Sequence, residues 1–310
     1  MRPPSRLRSA TVLVAALVCG STGTPAVTGA AADQRIAVTI DDLPWNGATS
    51  PGESVTEATR RLLSTLVSRG VPAVGFVNCA RTSADDPLLR EWRRLGMELG
   101  NHGSHHLNLD LVDAAAWVED ARSCRRTLAS ALDGPDRFFR FPYLHQGATE
   151  ARRETAAEGL RGMGYSTAHV TIDNSEWILA DAYGRALTAG ESRRREAIAT
   201  TYVEHMSAAL EHFTAVARSV AGRDVAHVLL LHANALAADH LGRVLDDFRA
   251  RGVVFVTLSE ALADPIYSQT DRYTGRKGLS WLYRIDPEGT RAAQMWDEEQ
   301  AARIEQRYGR

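Results

Sequence analysis

From Arg35 onward the chain alternates short apolar runs with helical patterns, and this alternation restricts the architecture more than any other feature. The runs are RIAVTIDD (35–42), PAVGFVNC (72–79), MELGNH (97–102), RFFRFPY (137–143), STAHVTID (166–173), VAHVLLLH (225–232) and VVFVTL (253–258). Helical spacing occupies 55–70, 86–96, 113–132, 148–164, a charged stretch near 190–221, and 238–252. Runs that are apolar throughout, rather than alternately, suit a sheet buried on both faces. Strands separated by helices make that sheet parallel. Seven or eight such units predict an α/β fold, a closed or nearly closed barrel rather than an open doubly wound sheet. The first strand runs into DDLPW and carries no glycine-rich phosphate loop, which argues against dinucleotide binding.

Of the 310 residues, 44% are hydrophobic and 24% charged, an ordinary globular balance that supports a large core. The formal net charge is −2, and no Lys/Arg block marks a nucleic-acid surface, so no nucleic-acid partner is expected. Residues 1–32 read as an export signal. Arg2, Arg6 and Arg8 precede the apolar run ATVLVAALVCG, and small residues ending in Ala30-Ala31-Ala32 suit a cut before Asp33. That run is too short for a stable membrane span. Cys19 raises lipidation, which the bulky Val18 before it disfavours. The expected product is exported to the periplasm, cell envelope or medium. It retains Cys79 and Cys124, either as a disulfide or as two buried thiols. The expected organisation is a signal at 1–32, a catalytic domain at 33–264, and a C-terminal extension at 265–310 capping the barrel.

In a barrel of this kind, reactive groups sit at the C-terminal ends of the strands. Polar residues gather at those ends: Asp41-Asp42, Asn101-His102 with His105 and His106 beyond, Arg140 and Tyr143, Asp173 with Glu176 and Trp177, and His232. Alone, a His-rich run could be a solvated loop, and an Asp pair could cap a helix. Together, one Asp and two His four residues apart form an open N,N,O set suited to Zn²⁺, with other divalent ions such as Co²⁺ possible. The second Asp is then free to act as a base. His232 reads either as a core histidine or as an acid across the cavity from the metal, Arg140 as a surface cation or as the residue orienting Asp41, and Trp177 and Tyr143 as packing or as pocket lining.

Five short motifs occur in order across residues 37–236: TIDD, HGSHH, RFPY, DNSEW and LLLH. With them the chain resembles the polysaccharide deacetylases of the NodB-homology type, carbohydrate esterase family 4. The resemblance implies a distorted (β/α)7 barrel and a metal-dependent hydrolase of carbon–nitrogen (non-peptide) bonds. Its substrate would be an acetylated glycan such as peptidoglycan, chitin or xylan, with N-acetyl or O-acetyl groups removed. It further implies Asp42, His102 and His106 as metal ligands, Asp41 as base, His232 as acid, Arg140 holding Asp41, and the Tyr143 N–H in the oxyanion hole. Trp177, Glu176 and Asp173 fall to the substrate pocket. Two positions depart from the pattern. Gly103 replaces a hydroxyl residue, and Glu176 replaces an Asp, one methylene longer, whose expected partner is Arg140. His105 is expected to face solvent or support the ligands, and His145 to pack its loop. Two alternatives remain: an amidohydrolase of the same fold acting on a small non-sugar amide, and a catalytically silent carbohydrate-binding relative.

Overall fold

A computed structural model describes Met1, residues 34–131 and residues 137–309. The expected export signal, its cleavage site and Cys19 lie outside the described residues.

The chain begins with β1 (Gln34–Leu43), α1 (Val55–Ser68), β2 (Ala73–Val77), α2 (Pro87–Arg94), β3 (Glu98–Asn101), α3 (Ala114–Ala131) and β4 (Phe138–Phe139). It continues with α4 (Glu150–Gly162), β5 (Ser166–Thr167), α5 (Glu176–Thr188), α6 (Ser192–Ala221), β6 (His227–His232), α7 (Ala235–Ala250), β7 (Val253–Phe255) and α8 (Leu258–Leu262). The helices α9 (Trp281–Ile285) and α10 (Arg291–Tyr308) follow. Every strand pairing is parallel, in the order β5-β4-β3-β2-β1-β6, with β7 also on β1. After β5 the chain crosses back to β6, where Ile172 bridges Leu229. The sheet therefore curls into the distorted barrel that the alternating runs predict.

Side-chain volume explains the strand interiors. β1 buries Ile36, Ala37, Val38 and Ile40 on both faces, and β6 buries Val228, Leu229 and Leu231. Helices cover both: α1 contributes Leu62, Leu63 and Leu66, and α7 contributes Leu241, Val244 and Leu245 to the same core. Burying an aliphatic side chain of this size contributes roughly 1.5–3 kcal/mol.

Two local readings are corrected. The run at 166–173 forms only a two-residue strand, because the segment after Thr167 leaves β4 to reach β6. A helix at Glu176–Thr188 precedes the long one, where the sequence reading goes straight from strand five to a helix near 190. Its inward positions Ile178, Leu179, Ala182, Tyr183, Ala186 and Leu187 have helical spacing, but Gly184 and the adjacent polar site residues obscure it. Cys79 and Cys124 are joined in a disulfide with Cα atoms 5.1 Å apart, so the thiol alternative falls away. Among the described residues no helix is long and apolar enough to cross a membrane.

The segment entering α9 inserts into the weak side of the barrel. Trp281 N–H donates to Val170 O, Ser280 Oγ donates to Thr171 O, and the Trp281 ring stacks on His169 at 3.7 Å. These contacts supply partners to the stretch after β5 that lacks regular sheet pairing.

Candidate active site and metal centre

Sheet register assembles the site. Asp41 of β1 pairs directly with His232 of β6, and Asn101 of β3 pairs with Val77 on one side and Phe139 on the other. His102 and Arg140, each one residue further along, thus reach the same rim. Successive strand side chains face opposite sides, so Asp41 and Asp42 could not normally share a pocket. A register shift between Ile40 and Leu43 and a left-handed Asp42 (φ 65°) break that rule. Both carboxylates then approach His102 Nε2, at 3.7 Å for Asp41 and 3.8 Å for Asp42.

Backbone strain collects here too. The non-glycine residues with positive φ among those described are Asp42, His106, Tyr143 and Leu144. Each such residue costs about 1–2 kcal/mol, and such positions persist where surrounding contacts fix them.

Asp42 Oδ1, His102 Nε2 and His106 Nε2 form a triangle with edges of 3.2, 3.5 and 3.8 Å. An ion about 2.0–2.2 Å from each of three tetrahedral ligands needs edges of roughly 3.3–3.6 Å. The donor set therefore fits a divalent metal. Supporting contacts agree. His102 Nδ1 lies 2.8 Å from Arg140 O, so Nδ1–H donates to that carbonyl and Nε2 keeps its lone pair for the triangle. Asn78 donates to Asp42 Oδ1 at 2.7 Å and Asn46 to Oδ2 at 2.8 Å. Burial and the neighbouring His102 push His106 down to about 4, leaving a neutral ring. Burial opposes charge on Asp42, but His102, His232 and His106 with the Asn78 hydrogen bond hold its carboxyl below the usual range.

Asp41 is 3% exposed. The buried Arg140 guanidinium stands 3.3–3.4 Å from both its oxygens, and is itself fixed by Ala168 O at 2.7 Å and Thr39 Oγ1 at 2.9 Å. Asp41 thus stays beside the metal-facing triangle with its orientation set by a cation.

The pocket role expected of Glu176 is corrected, and the pairing with Arg140 that its extra methylene put in question is absent. At 1% exposure Glu176 does not line the pocket. The extra methylene and its place at the start of α5 carry the carboxylate under His232. There Oε1 accepts the His232 backbone N–H at 2.9 Å and lies 2.7 Å from Nδ1. Burial alone would lower the His232 pKa, but Glu176, with Asp42 and Asp41 nearby, raises it to about 9. The ring is an imidazolium at neutral pH. Asp173 is near both Arg140 and His232, and burial pushes its carboxyl up to about 6.

Trp177 is 56% exposed and, with Asn46, Asp181, His232 and Asn234, lines a groove of about 580 Å³. Tyr143 is equally exposed on the metal side, its ring 4.3 Å from His106. The turn around Tyr143 is closed by Leu144 N–H to Phe141 O and His145 N–H to Pro142 O. The Tyr143 N–H takes no part in that turn. His105 projects outward while its Nδ1 rests 2.6 Å from Asp120, and His145 lies 3.5 Å from Asp110.

Sequence reasoning missed Thr39, Asn46, Asn78 and Asp120. Thr39 and Asn78 carried a signal, as lone polar residues inside or at the end of apolar runs. Asn46 and Asp120 reach the site from the loop after β1 and from α3, and no strand-end rule finds them.

Residues 28–168 match the polysaccharide deacetylase family model, and the chain carries a polysaccharide deacetylase domain of the carbohydrate esterase family 4, NodB type. No curated protein matches the chain in sequence. Among solved structures, a mutant of a carbohydrate esterase family 4 pseudoenzyme matches at a TM-score of 0.54 and 15% identity, over 74% of this chain and 68% of that one. The wild-type pseudoenzyme, from Bacillus anthracis, matches at 0.50 and 14% identity over 74% and 66%. A mutant of it with restored enzymatic activity matches at 0.50 and 16% identity over 74% and 68%. At this identity the likeness shows the fold alone.

Proposed function

We propose that the protein is an exported, Zn²⁺-dependent deacetylase that hydrolyses N-acetyl or O-acetyl groups of a glycan. The observation that carries this reading is the convergence of an Asp–His–His metal triangle, a cation-held carboxylate and a charged histidine on one strand-end rim. An ion held by Asp42, His102 and His106 would supply a Lewis acid and lower the pKa of the attacking water.

The chain's own groups account for the proton traffic. Asp41, aligned by Arg140, accepts the proton of the attacking water. The Tyr143 N–H faces the oxygen that gains charge on the acetyl carbon. His232, kept protonated by Glu176, delivers its proton to the departing sugar nitrogen or oxygen. Trp177 and Tyr143 flank the site as exposed rings on which sugars can lie. Export, expected from residues 1–32, would bring the enzyme to its glycan.

The fold likeness to a pseudoenzyme gives one competing reading, a silent carbohydrate binder. The complete set of acid, base and metal-facing residues weighs against it. The test is acetate release from chitin oligomers, peptidoglycan, acetylxylan and small amides. Release from one or more glycans is expected. Release from small amides alone would replace the glycan by a small substrate, and glycan binding without any release would favour the silent reading.

A further inference from the structure

The residue after the first metal-facing histidine is Gly103, at φ +78°. A Cβ built there would meet Asp120 Oδ2 at 2.8 Å. That carboxylate projects from α3 and is only 9% exposed. It accepts the Ser104 N–H at 2.8 Å and the His105 N–H at 3.2 Å, and stands 2.6 Å from His105 Nδ1. One side chain therefore gathers two consecutive amides and an imidazole from the loop between His102 and His106.

The opposite edge of the loop is held by backbone. Cys79 N–H donates to Gly103 O at 3.1 Å and Ala80 N–H to Ser104 O at 2.9 Å. The two supports are covalently joined, since Cys124, one helical turn after Asp120, is bonded to Cys79. The loop is thus fixed between two elements that cannot separate.

We propose that Asp120 is a positioning residue for the metal centre, setting the left-handed turns at Gly103 and His106 so that His102 and His106 stand 3.2 Å apart before an ion arrives. Gly103 is what makes this possible, because any side chain there would occupy the space of the Asp120 carboxylate. A preset loop loses less conformational freedom when it binds, which favours affinity. The inference rests on the metal-site reading above.

The test is Co²⁺ titration of the full chain, followed by the cobalt absorption band with a competing chelator, alongside the melting temperature of each metal-free protein. Asp120→Ala is expected to weaken Co²⁺ binding about 10- to 100-fold. Asp120→Asn, which keeps the shape but places an amide N–H against the loop donors, should shift affinity in the same direction and carries the test if the alanine variant does not fold. Leu128→Ala, buried two turns further along the same helix, should lower the melting temperature and leave affinity unchanged. Wild-type affinity in the folded Asp120 variants, or an equal loss in Leu128→Ala, would overturn the proposal. A wild type that binds no Co²⁺ would overturn the metal reading and the proposal together.

Discussion

At the scale of single residues, Asp41 and Asp42 adjoin in sequence and diverge in surroundings. Asp42 is engaged by two asparagine side chains and faces two imidazoles, as a metal ligand should. Asp41 faces a guanidinium that spans both its oxygens, and each oxygen keeps a lone pair that can accept a proton. His232 makes the sign of the pH dependence definite. Its folded pKa is about 9, above the ordinary 6.5, so the proton it must donate is present at neutral pH and lost as pH rises through 9. Activity should fall on that alkaline limb. Glu176→Gln removes the anion that holds the proton, and the limb should move down toward 6.5. A pH–rate profile with an unmoved alkaline limb would contradict the pairing. Glu176 also shows the limit of reading residues from the chain. Its position in the DNSEW motif was legible, but its partner was not, because one methylene and a helix start decide which neighbour it reaches.

At the scale of elements, the barrel was legible because apolar runs and helical spacing alternate along the whole chain. The strand-end rim was legible for the same reason: parallel strands place like ends together. What stayed hidden depends on contacts between distant segments. One example is the segment before α9, which leans on the turn at Tyr143. A Cβ at Gly278 would lie 1.8 Å from Tyr143 O and 3.1 Å from His145 Cδ2. Tyr143 and Leu144 are both left-handed, and this close approach helps to hold them so. Gly278→Ala should therefore displace the Tyr143–Leu144 peptide and, through Tyr143, the adjoining Tyr143 N–H proposed as the oxyanion donor. A displacement of about 1 Å costs on the order of 100-fold in rate. The expected result is a lowered kcat with unchanged Co²⁺ affinity, and an unchanged kcat would remove this strut from the account.

At the scale of the whole molecule, residues 33–310 form one compact unit, and the family match ends at residue 168. The proposed acid His232, its partner Glu176 and the groove residue Trp177 all lie beyond that match. In the proposed mechanism the second half of the fold therefore supplies the proton donor, through β6 pairing with β1 in the register that aligns His232 with Asp41. The central claim is that a metal triangle and a separate carboxylate base act together. It is tested most directly by acetate release from an acetylated glycan by metal-stripped, Zn²⁺-reloaded and Asp41→Asn protein. The account predicts release that stops on chelation, returns with Zn²⁺, and drops about 10²- to 10⁴-fold in Asp41→Asn although that variant still binds one Zn²⁺. Release that survives chelation, or that is undiminished in Asp41→Asn, would contradict it.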